Sequence, residues 1–374
     1  MIYLDNAATT NHKPFCVKYA VVKAMSKKYS ANPGRSSHKP SIKSAMKILK
    51  AREEIANFFG LTNENNVIFT SGCTESLNLA ILGSVKQNGH IITTIFEHNS
   101  VLRPLYYLKE KKLIDYTIVK PNFYGDITKK ELQEVVKPNT YMLIVNHISN
   151  VTGKEINLQE CGKFAKENNL LFLVDAAQSA GHKKINMQDN NIDILCIAGH
   201  KGLYAPQGVG ALLHNNIILQ PIKFGGTGIF AEEKTMPIIS PETYEAGTTC
   251  TPNIFGLLAG IKFVKKHFLK ITKKQTKQTK YLLEKLNKLN NVTLYTNLSC
   301  LNGVISLNIK NKPSQEVANV LNTKYKICVR SGLHCAPLIH KYYGTLENGM
   351  VRVSLSYFTK KQELNKLVNA LKNI

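Results

Sequence analysis

No two cysteines in this sequence have C-x-x-C spacing, although eight cysteines are present. The first residues, MIYLDNAATT, do not form a basic segment followed by an apolar one, so we expect no secretory signal here. Apolar runs stay far below the ~18 residues needed to span a membrane. These absences predict a soluble cytoplasmic protein with reduced cysteines, with no membrane contact and no metal site.

Arginine is also scarce, because only five of the 49 basic residues are arginine. With 25 acidic residues the net charge is +24, which is compatible with a nucleic-acid, membrane or acidic-protein partner. Guanidinium groups bind phosphate bidentately, whereas lysine is a point charge. The excess therefore indicates a lysine-rich composition rather than a nucleic-acid interface. We interpret the lysine run from residue 262 to 288 as the solvated face of a helix.

Short apolar runs alternate with helical patterns between residues 40 and 215. The runs predict strands at 66–70, 91–95, 116–119, 141–146, 170–174 and 192–197, and helical patterns such as 76–82 and 158–167 lie between several of them. Strands separated by helices predict an α/β fold with a mostly parallel sheet, covered on both faces. A chain of 374 residues is long enough for such a domain and a smaller one.

The pattern changes after residue 256. A long basic helix is predicted at 257–289, strands at 304–309 and 325–330, and a closing helix at 360–372. We therefore predict a large domain over residues 15–256. A smaller α+β domain would consist of residues 1–14 and 257–374, joined to the large one through the long helix.

Polar segments follow five of the predicted strands. They are residues 71–74, 97–98, 149–150, 175–178 and 199–201. In open α/β sheets, ligands bind outside the carboxyl ends of the strands. Five polar segments at that edge favour one shared site.

Lys201 is the residue of this cluster that is best suited to covalent chemistry. It lies in the glycine-flanked turn Gly199–Gly202 after an apolar strand. A lysine amine forms Schiff bases when its surroundings lower its pKa. A single lysine is ordinarily a surface cation, but Asp175 ends the preceding strand, and pyridoxal phosphate needs a carboxylate opposite its protonated pyridine nitrogen.

A phosphate site is predicted at residues 71–74, because backbone N–H groups at a helix start bind anions. The same residues could equally be an ordinary Ser/Thr helix cap. His98 could stack on a planar cofactor or move a proton, and it could equally be structural. Asn150 is a weaker candidate of the same kind.

Eight motifs of the chain match one family in order and spacing. The sequence resembles the cysteine desulfurases, which are class V aminotransferases and pyridoxal-phosphate enzymes of fold type I. The resemblance covers residues 4 to about 358. The motifs are LDNAATT (4–10), SGCTESLN (71–78), EHNS (97–100), SNVTG (149–153), VDAAQSAGH (174–182), AGHKGLYAPQGVG (198–210), EAGT (245–248) and RSGLHCAPL (330–338).

The resemblance implies a cofactor role for each matching residue. Lys201 would bind pyridoxal 5'-phosphate covalently and move the Cα proton of the substrate. Asp175 would pair with the pyridine nitrogen, Gln178 would contact the ring hydroxyl, and His98 would stack on the ring. The phosphate would be held by Thr74, by the backbone amide of Cys73 and by His200.

Further roles follow from the same resemblance. Thr248 matches the residue that family members lend to the phosphate of the neighbouring subunit, which implies a homodimer. The substrate carboxylate would be held by Asn150 and Arg352, with Arg330 nearby. One departure is Ala198, since the family commonly has a hydroxyl residue there as a phosphate ligand. Ser71 or a water would then replace that contact.

Cys335 distinguishes the desulfurases from plain aminotransferases. His334 and Arg330 lie around it in the sequence, and a nearby cation raises the thiolate fraction of a cysteine. The resemblance implies that Cys335 attacks the sulfur of L-cysteine, which leaves a persulfide on the enzyme and alanine as product. Arg352 follows only seventeen residues later. This short segment resembles the short-loop branch, whose persulfide is collected by an acceptor protein.

Two other interpretations stay open at this point. A selenocysteine lyase, an epimerase or an aminotransferase of the same fold would share Lys201 and Asp175 and would need no cysteine at position 335. A nucleic-acid binder would make the strand-end cluster accidental. The identity of the sulfur acceptor and the pathway served, whether iron–sulfur cluster assembly, tRNA thiolation or selenium delivery, do not follow from the sequence.

Overall fold

The fold was examined in a computed structural model, which describes residues 1–34 and 36–374. The helices are α1 (Phe15–Ala24), α2 (Lys39–Phe59), α3 (Cys73–Gly83), α4 (Asn99–Glu110), α5 (Lys129–Gln133), α6 (Leu158–Glu167), α7 (Thr251–Leu286), α8 (Ser314–Tyr325), α9 (Pro337–Tyr342) and α10 (Lys361–Lys372). The strands are β1 (Ile2–Tyr3), β2 (Val67–Thr70), β3 (Gly89–Thr94), β4 (Ile114–Val119), β5 (Thr140–Asn146), β6 (Leu171–Asp175), β7 (Ile194–Ala198), β8 (Gly210–His214), β9 (Val292–Leu294), β10 (Val304–Ile309), β11 (Ile327–Cys328) and β12 (Val351–Ser354).

A seven-stranded sheet forms the centre of the molecule. Its order is β2-β8-β7-β6-β5-β3-β4, and β8 runs antiparallel to both of its neighbours while the other six strands run in one direction. The predicted mostly parallel α/β sheet is thus confirmed. Sequence reasoning missed β8, because it interpreted the glycines at 208 and 210 only as part of a turn.

Alternate residues of the strands enter two separate cores. Leu143 and Phe172 face one core together with helix α2, whereas Met142 and Leu173 face the other together with α3 and α4. This alternation follows from the two-residue period of a strand. The sheet is therefore covered on both faces, which leaves its carboxyl edge as the open side.

A smaller unit with its own core follows in the C-terminal part of the chain. Its sheet has the antiparallel order β12-β10-β9, and the N-terminal β1 pairs with β11. Ile2 and Leu4 pack in the same core as Val353. The 36-residue helix α7 contributes its first turns to the large core and its last turns to the small one. The domain boundaries at residues 14 and 256 stay a prediction.

Two predicted elements of the C-terminal part have clearly different bounds in the structure. Helix α7 begins at Thr251 rather than 257, and it ends at Leu286 rather than 289. The predicted strand at 325–330 is reduced to Ile327–Cys328, because α8 extends to Tyr325 and ends in the left-handed Lys326. Most lysines of α7 are exposed, as expected for a solvated helix face. In the described parts of the chain, no helix is long and apolar enough to cross a membrane.

A buried ion pair fixes the segment that carries the EAGT motif. Arg52 on α2 binds both carboxylate oxygens of Glu245, with N···O distances of 2.9 and 2.6 Å. Glu245 also accepts the Phe69 N–H at 2.6 Å, and Arg52 donates to the Val67 carbonyl. Both charged side chains are 8% exposed. The pair therefore joins α2, β2 and the segment around Thr248.

Replacing Arg52 by alanine should lower the free energy of unfolding by about 3–5 kcal/mol, because it leaves a buried carboxylate without its partner. Lys50→Ala is the control, since Lys50 makes an exposed pair with Glu53, and exposed ion pairs contribute little to stability. Urea unfolding of both variants at one protein concentration measures the difference. Equal, small losses would show that the Arg52–Glu245 pair does not stabilise the fold.

Candidate active site

A cavity of about 260 Å³ lies at the carboxyl edge of the large sheet. Each of the five polar segments that follow the predicted strands contributes to its wall, as the sequence pattern predicted. The lining includes eight of the candidate site residues: Cys73, Thr74, His98, Asn150, Asp175, Gln178, His200 and Lys201. Ala198 lines it as well, so a methyl group lies where the resemblance would place a hydroxyl.

Lys201 presents an unengaged amine to this cavity. Its Nζ has no hydrogen-bond partner within the described residues. Burial lowers the pKa of the Lys201 amine, and the negative charge of Asp175 offsets this only in part. A lysine in this state gives up its proton more readily than a surface lysine, as a nucleophilic or basic amine requires.

Asp175 lines the same cavity, at the end of β6. The side chain is 2% exposed, and burial raises the pKa of its carboxyl group. Oδ1 accepts the Ala177 N–H at 2.8 Å and lies 3.5 Å from Cys73 Sγ. A buried carboxylate with partners on one oxygen can bind a cationic group through the other.

The first turn of α3 offers unpaired backbone N–H groups. Its N-cap is Gly72, which has no side chain that could accept from them. Thus no Ser/Thr side chain caps this helix, and the N–H groups of Cys73 and Thr74 stay available to an anion. Gly210 makes this arrangement possible, because a Cβ there would lie 2.7 Å from the Gly72 carbonyl carbon.

His98 is the N-cap of α4, and its orientation is fixed. Nδ1 accepts the Ser100 N–H at 3.0 Å, which assigns the proton of the neutral ring to Nε2. Burial and then the charge of Lys201 lower the pKa of His98 to about 4. The imidazole is therefore neutral at pH 7. Ser100 Oγ lies 2.9 Å from His98 Nδ1 and 2.8 Å from Thr74 Oγ1, so it joins the two candidate residues.

The LDNAATT motif packs against the turn that carries Lys201. The His200 carbonyl accepts from the N–H and the hydroxyl of Thr10 and from Lys13 Nζ, at 3.1, 3.0 and 2.9 Å. Gln178 Nε2 donates to the Ala7 carbonyl at 3.0 Å. The N-terminal segment therefore holds Gln178 and the Lys201 turn in place.

Cys335 lies in a neighbouring cavity of about 530 Å³. The two cavities share Thr74, His98 and Ser100. The Cys335 thiol is exposed, and its Sγ lies 3.6 Å from Nη2 of Arg330. The structure therefore places this cysteine beside the main cavity rather than in its wall.

Arg352 is buried behind the main cavity and does not line it. The residue is 1% exposed, and it donates to the Asn150 carbonyl at 3.0 Å and to Asp5 Oδ1 at 2.9 Å. Asn150 Nδ2 donates to the His334 carbonyl at 2.7 Å, while Asn150 Oδ1 is buried with no partner in the described structure. Arg352 Nε also has no partner among the described residues, so Asn150 retains a free acceptor and Arg352 a free donor.

Thr248 does not line the main cavity. It is exposed and lines a separate pocket that shares only Ser71 and Glu75 with the main cavity. Within one subunit the structure does not bring Thr248 to Lys201.

Three residues of the site were assigned no role by sequence reasoning. Ser100 lies in the EHNS motif and Asp5 in the LDNAATT motif. The pattern His-x-Ser at a helix start would have indicated Ser100. Glu97 is fully buried, and it accepts from Thr94 Oγ1 at 2.7 Å and from the Asn146 N–H at 2.9 Å. Burial raises the pKa of Glu97 to about 8, so this carboxyl group is mostly neutral at pH 7.

Comparison with known proteins gives consistent matches. The family model of class-V aminotransferases matches residues 2–367. A probable cysteine desulfurase from Pyrococcus abyssi is 33% identical over 391 residues, covering 100% of this chain and 94% of that protein. The mitosomal cysteine desulfurase of Trachipleistophora hominis is 38% identical over 265 residues, covering 68% of this chain and 56% of that protein.

A solved structure agrees over the same length. The apo structure of a cysteine desulfurase from Thermococcus onnurineus NA1 has a TM-score of 0.91 and 31% identity, covering 100% of this chain and 94% of that one. Sequence and fold therefore confirm the resemblance inferred from the motifs. The chain belongs to the class-V aminotransferase family, among its cysteine desulfurases.

Proposed function

We propose that this chain uses pyridoxal phosphate to convert L-cysteine to L-alanine, and that Cys335 receives the sulfur as a persulfide. The observation that carries the proposal is that Lys201, Asp175 and the open helix start line one cavity, with Cys335 at its side. Pyridoxal phosphate supplies an electron sink that stabilises negative charge at the substrate Cα.

The residues of the cavity fit this cofactor at three points. The free N–H groups of Cys73 and Thr74 suit a phosphate, with His200 beside them. The buried Asp175 suits a protonated ring nitrogen, and Lys201 suits covalent attachment. Ala198 has no hydroxyl to offer the phosphate, so we assign that contact to Ser71 or a water.

We propose different roles for Lys201 and His98 at the cofactor ring. The lowered pKa of Lys201 lets its amine take up the Cα proton and return it to a neighbouring carbon. The neutral His98 ring, whose Nδ1 is occupied by the Ser100 N–H, would stack on the cofactor ring. We propose that Asn150, Arg330 and Arg352 bind the substrate, and that Arg352 holds its carboxylate through the Nε–H that has no partner within the described residues.

We propose that Cys335 stays near its observed place during turnover, as in the short-loop branch. Its carbonyl accepts the Asn99 N–H at 2.7 Å, and the preceding carbonyl accepts from Asn150. His334 and Cys335 both have positive φ, 50° and 58°, so a tight turn fixes this segment. A persulfide held there must be collected by an acceptor protein that reaches the second cavity.

We also propose a homodimer in which Thr248 completes the site of the partner subunit. Helix α1 and its C-cap expose Phe15, Val22 and Met25, which are 80%, 63% and 59% accessible, and α2 exposes Met46 at 65%. Apolar surface of this extent is typical of an interface. We place the dimer in the cytoplasm, since the eight cysteines are all free.

Lys201→Ala should abolish the covalent attachment of the cofactor and lower turnover by at least about 10²–10⁴-fold, because the general base is lost. Lys13 is the matched control, because burial lowers its pKa to about 8 and its Nζ donates to the carbonyl of His200, the residue before Lys201. Borohydride reduction and peptide mapping should find the adduct on Lys201 in wild type and in Lys13→Ala. An adduct on Lys13 would contradict the assignment.

Cys335→Ser should bind the cofactor and L-cysteine and form no persulfide, because its hydroxyl cannot accept sulfur. Cys328→Ser is the control, as Cys328 is a half-buried cysteine seven residues earlier. Mass spectrometry after a single turnover measures the added sulfur. Undiminished alanine formation by Cys335→Ser would instead favour direct elimination, as in a selenocysteine lyase, which a parallel assay with selenocysteine would detect.

Two inactive variants should restore each other if Thr248 acts across the dimer. In a heterodimer of one Lys201→Ala subunit and one Thr248→Asp subunit, one active site would contain both substitutions. The other active site would contain neither. We therefore expect activity to reappear when the two variants are mixed and reassociated. If heterodimers form, as native mass spectrometry can show, and activity does not return, Thr248 does not act in the partner's site.

A further inference from the structure

The Cys73 side chain lies between the start of α3 and the end of β6. It is 9% exposed, and its Sγ lies 3.5 Å from Asp175 Oδ1, which is within hydrogen-bond distance for sulfur. The resemblance assigns to this residue only a backbone contact with phosphate. Its thiol therefore has no role in the function proposed above.

The two donors to Asp175 share one of its oxygens. Oδ1 accepts the Ala177 N–H at 2.8 Å as well as the thiol. Oδ2 has no hydrogen-bond partner in the parts of the chain that the structure describes, although Asp175 is 2% exposed and lines the cavity. The two hydrogen bonds to Oδ1 thus fix the rotation of the Asp175 carboxylate and leave Oδ2 available to a ligand.

The direction of the thiol hydrogen bond follows from the surroundings. Burial and then the charge of Asp175 raise the pKa of Cys73 well above its usual value, so the sulfur keeps its proton at neutral pH. A thiol facing a carboxylate oxygen can then only donate. The other titratable groups that act on Asp175 or are affected by its charge are Lys201, Glu97 and Cys196.

We propose that Cys73 is a positioning residue, whose S–H donates to Asp175 Oδ1 and so directs Oδ2 to the ring nitrogen of the cofactor. This inference rests on the proposed binding of pyridoxal phosphate in the cavity. One residue then serves the cofactor twice, with its backbone N–H at the phosphate and its side chain behind the carboxylate.

Loss of the hydrogen bond between Cys73 and Asp175 should change the pKa of Asp175. A donor to the ionised carboxylate favours that form, so its loss raises the pKa of Asp175. As the pH falls, Asp175 then takes up a proton earlier, and the ring nitrogen loses its charged partner at a higher pH. Cofactor affinity should accordingly begin to fall at a higher pH when Cys73 cannot donate.

The test compares Cys73→Ala, Cys73→Ser and Cys196→Ala as apoproteins titrated with pyridoxal phosphate. Cys196 is the matched control, since it is a fully buried thiol paired with Asp175 in the strand register but without a hydrogen bond to its carboxylate. Visible absorbance gives the affinity at each pH, and thermal unfolding of the apoproteins identifies any loss of folding.

We expect Cys73→Ala to weaken the affinity for pyridoxal phosphate about three- to tenfold. The acid limb of the affinity profile, where affinity falls as the pH is lowered, should move up by about half a pH unit to one pH unit. Cys73→Ser should restore both values, because a hydroxyl can donate in the same place, and Cys196→Ala should behave as wild type. An unchanged acid limb in Cys73→Ala, or an equal shift in Cys196→Ala, would overturn the inference. A wild-type protein that binds no pyridoxal phosphate would overturn the proposed function itself.

Discussion

A buried carboxyl group, Asp175, and a buried amine, Lys201, lie in the wall of one cavity, and the site depends on this constraint. Burial raises the pKa of the carboxyl group and lowers that of the amine, so both groups are destabilised in their charged forms. Such a pair costs stability unless a ligand uses it. The sheet supplies the rigidity for this arrangement, because β5 pairs with β6 up to Asp175, and β6 pairs with β7 up to Cys196.

The second cavity holds an exposed thiol beside the first cavity. It shares Thr74, Ser100 and His98 with the first cavity, so these three residues form part of both walls. The cysteine segment is held by hydrogen bonds to α4 and to Asn150 rather than left free. The Cys335 thiol is therefore fixed in position and open to solvent.

Sequence reasoning recovered the parts of the fold that local pattern determines. Each of the six predicted strands between 66 and 197 lies within two residues of a strand in the structure, because buried parallel strands are uninterrupted apolar runs. The antiparallel β8 and the bridging pair β1–β11 depend on contacts between distant segments, which no local pattern contains. Sequence reasoning missed the ion pair of Arg352 for the same reason, because its partner Asp5 lies at the other end of the chain.

A structure of the protein crystallised with pyridoxal phosphate tests the central claim most directly. We predict continuous density from Lys201 Nζ to the cofactor, the phosphate at the N–H groups of Cys73 and Thr74, and the ring nitrogen within hydrogen-bond distance of Asp175 Oδ2. Cofactor bound through another lysine, or with its ring nitrogen away from Asp175, would contradict this account of the site.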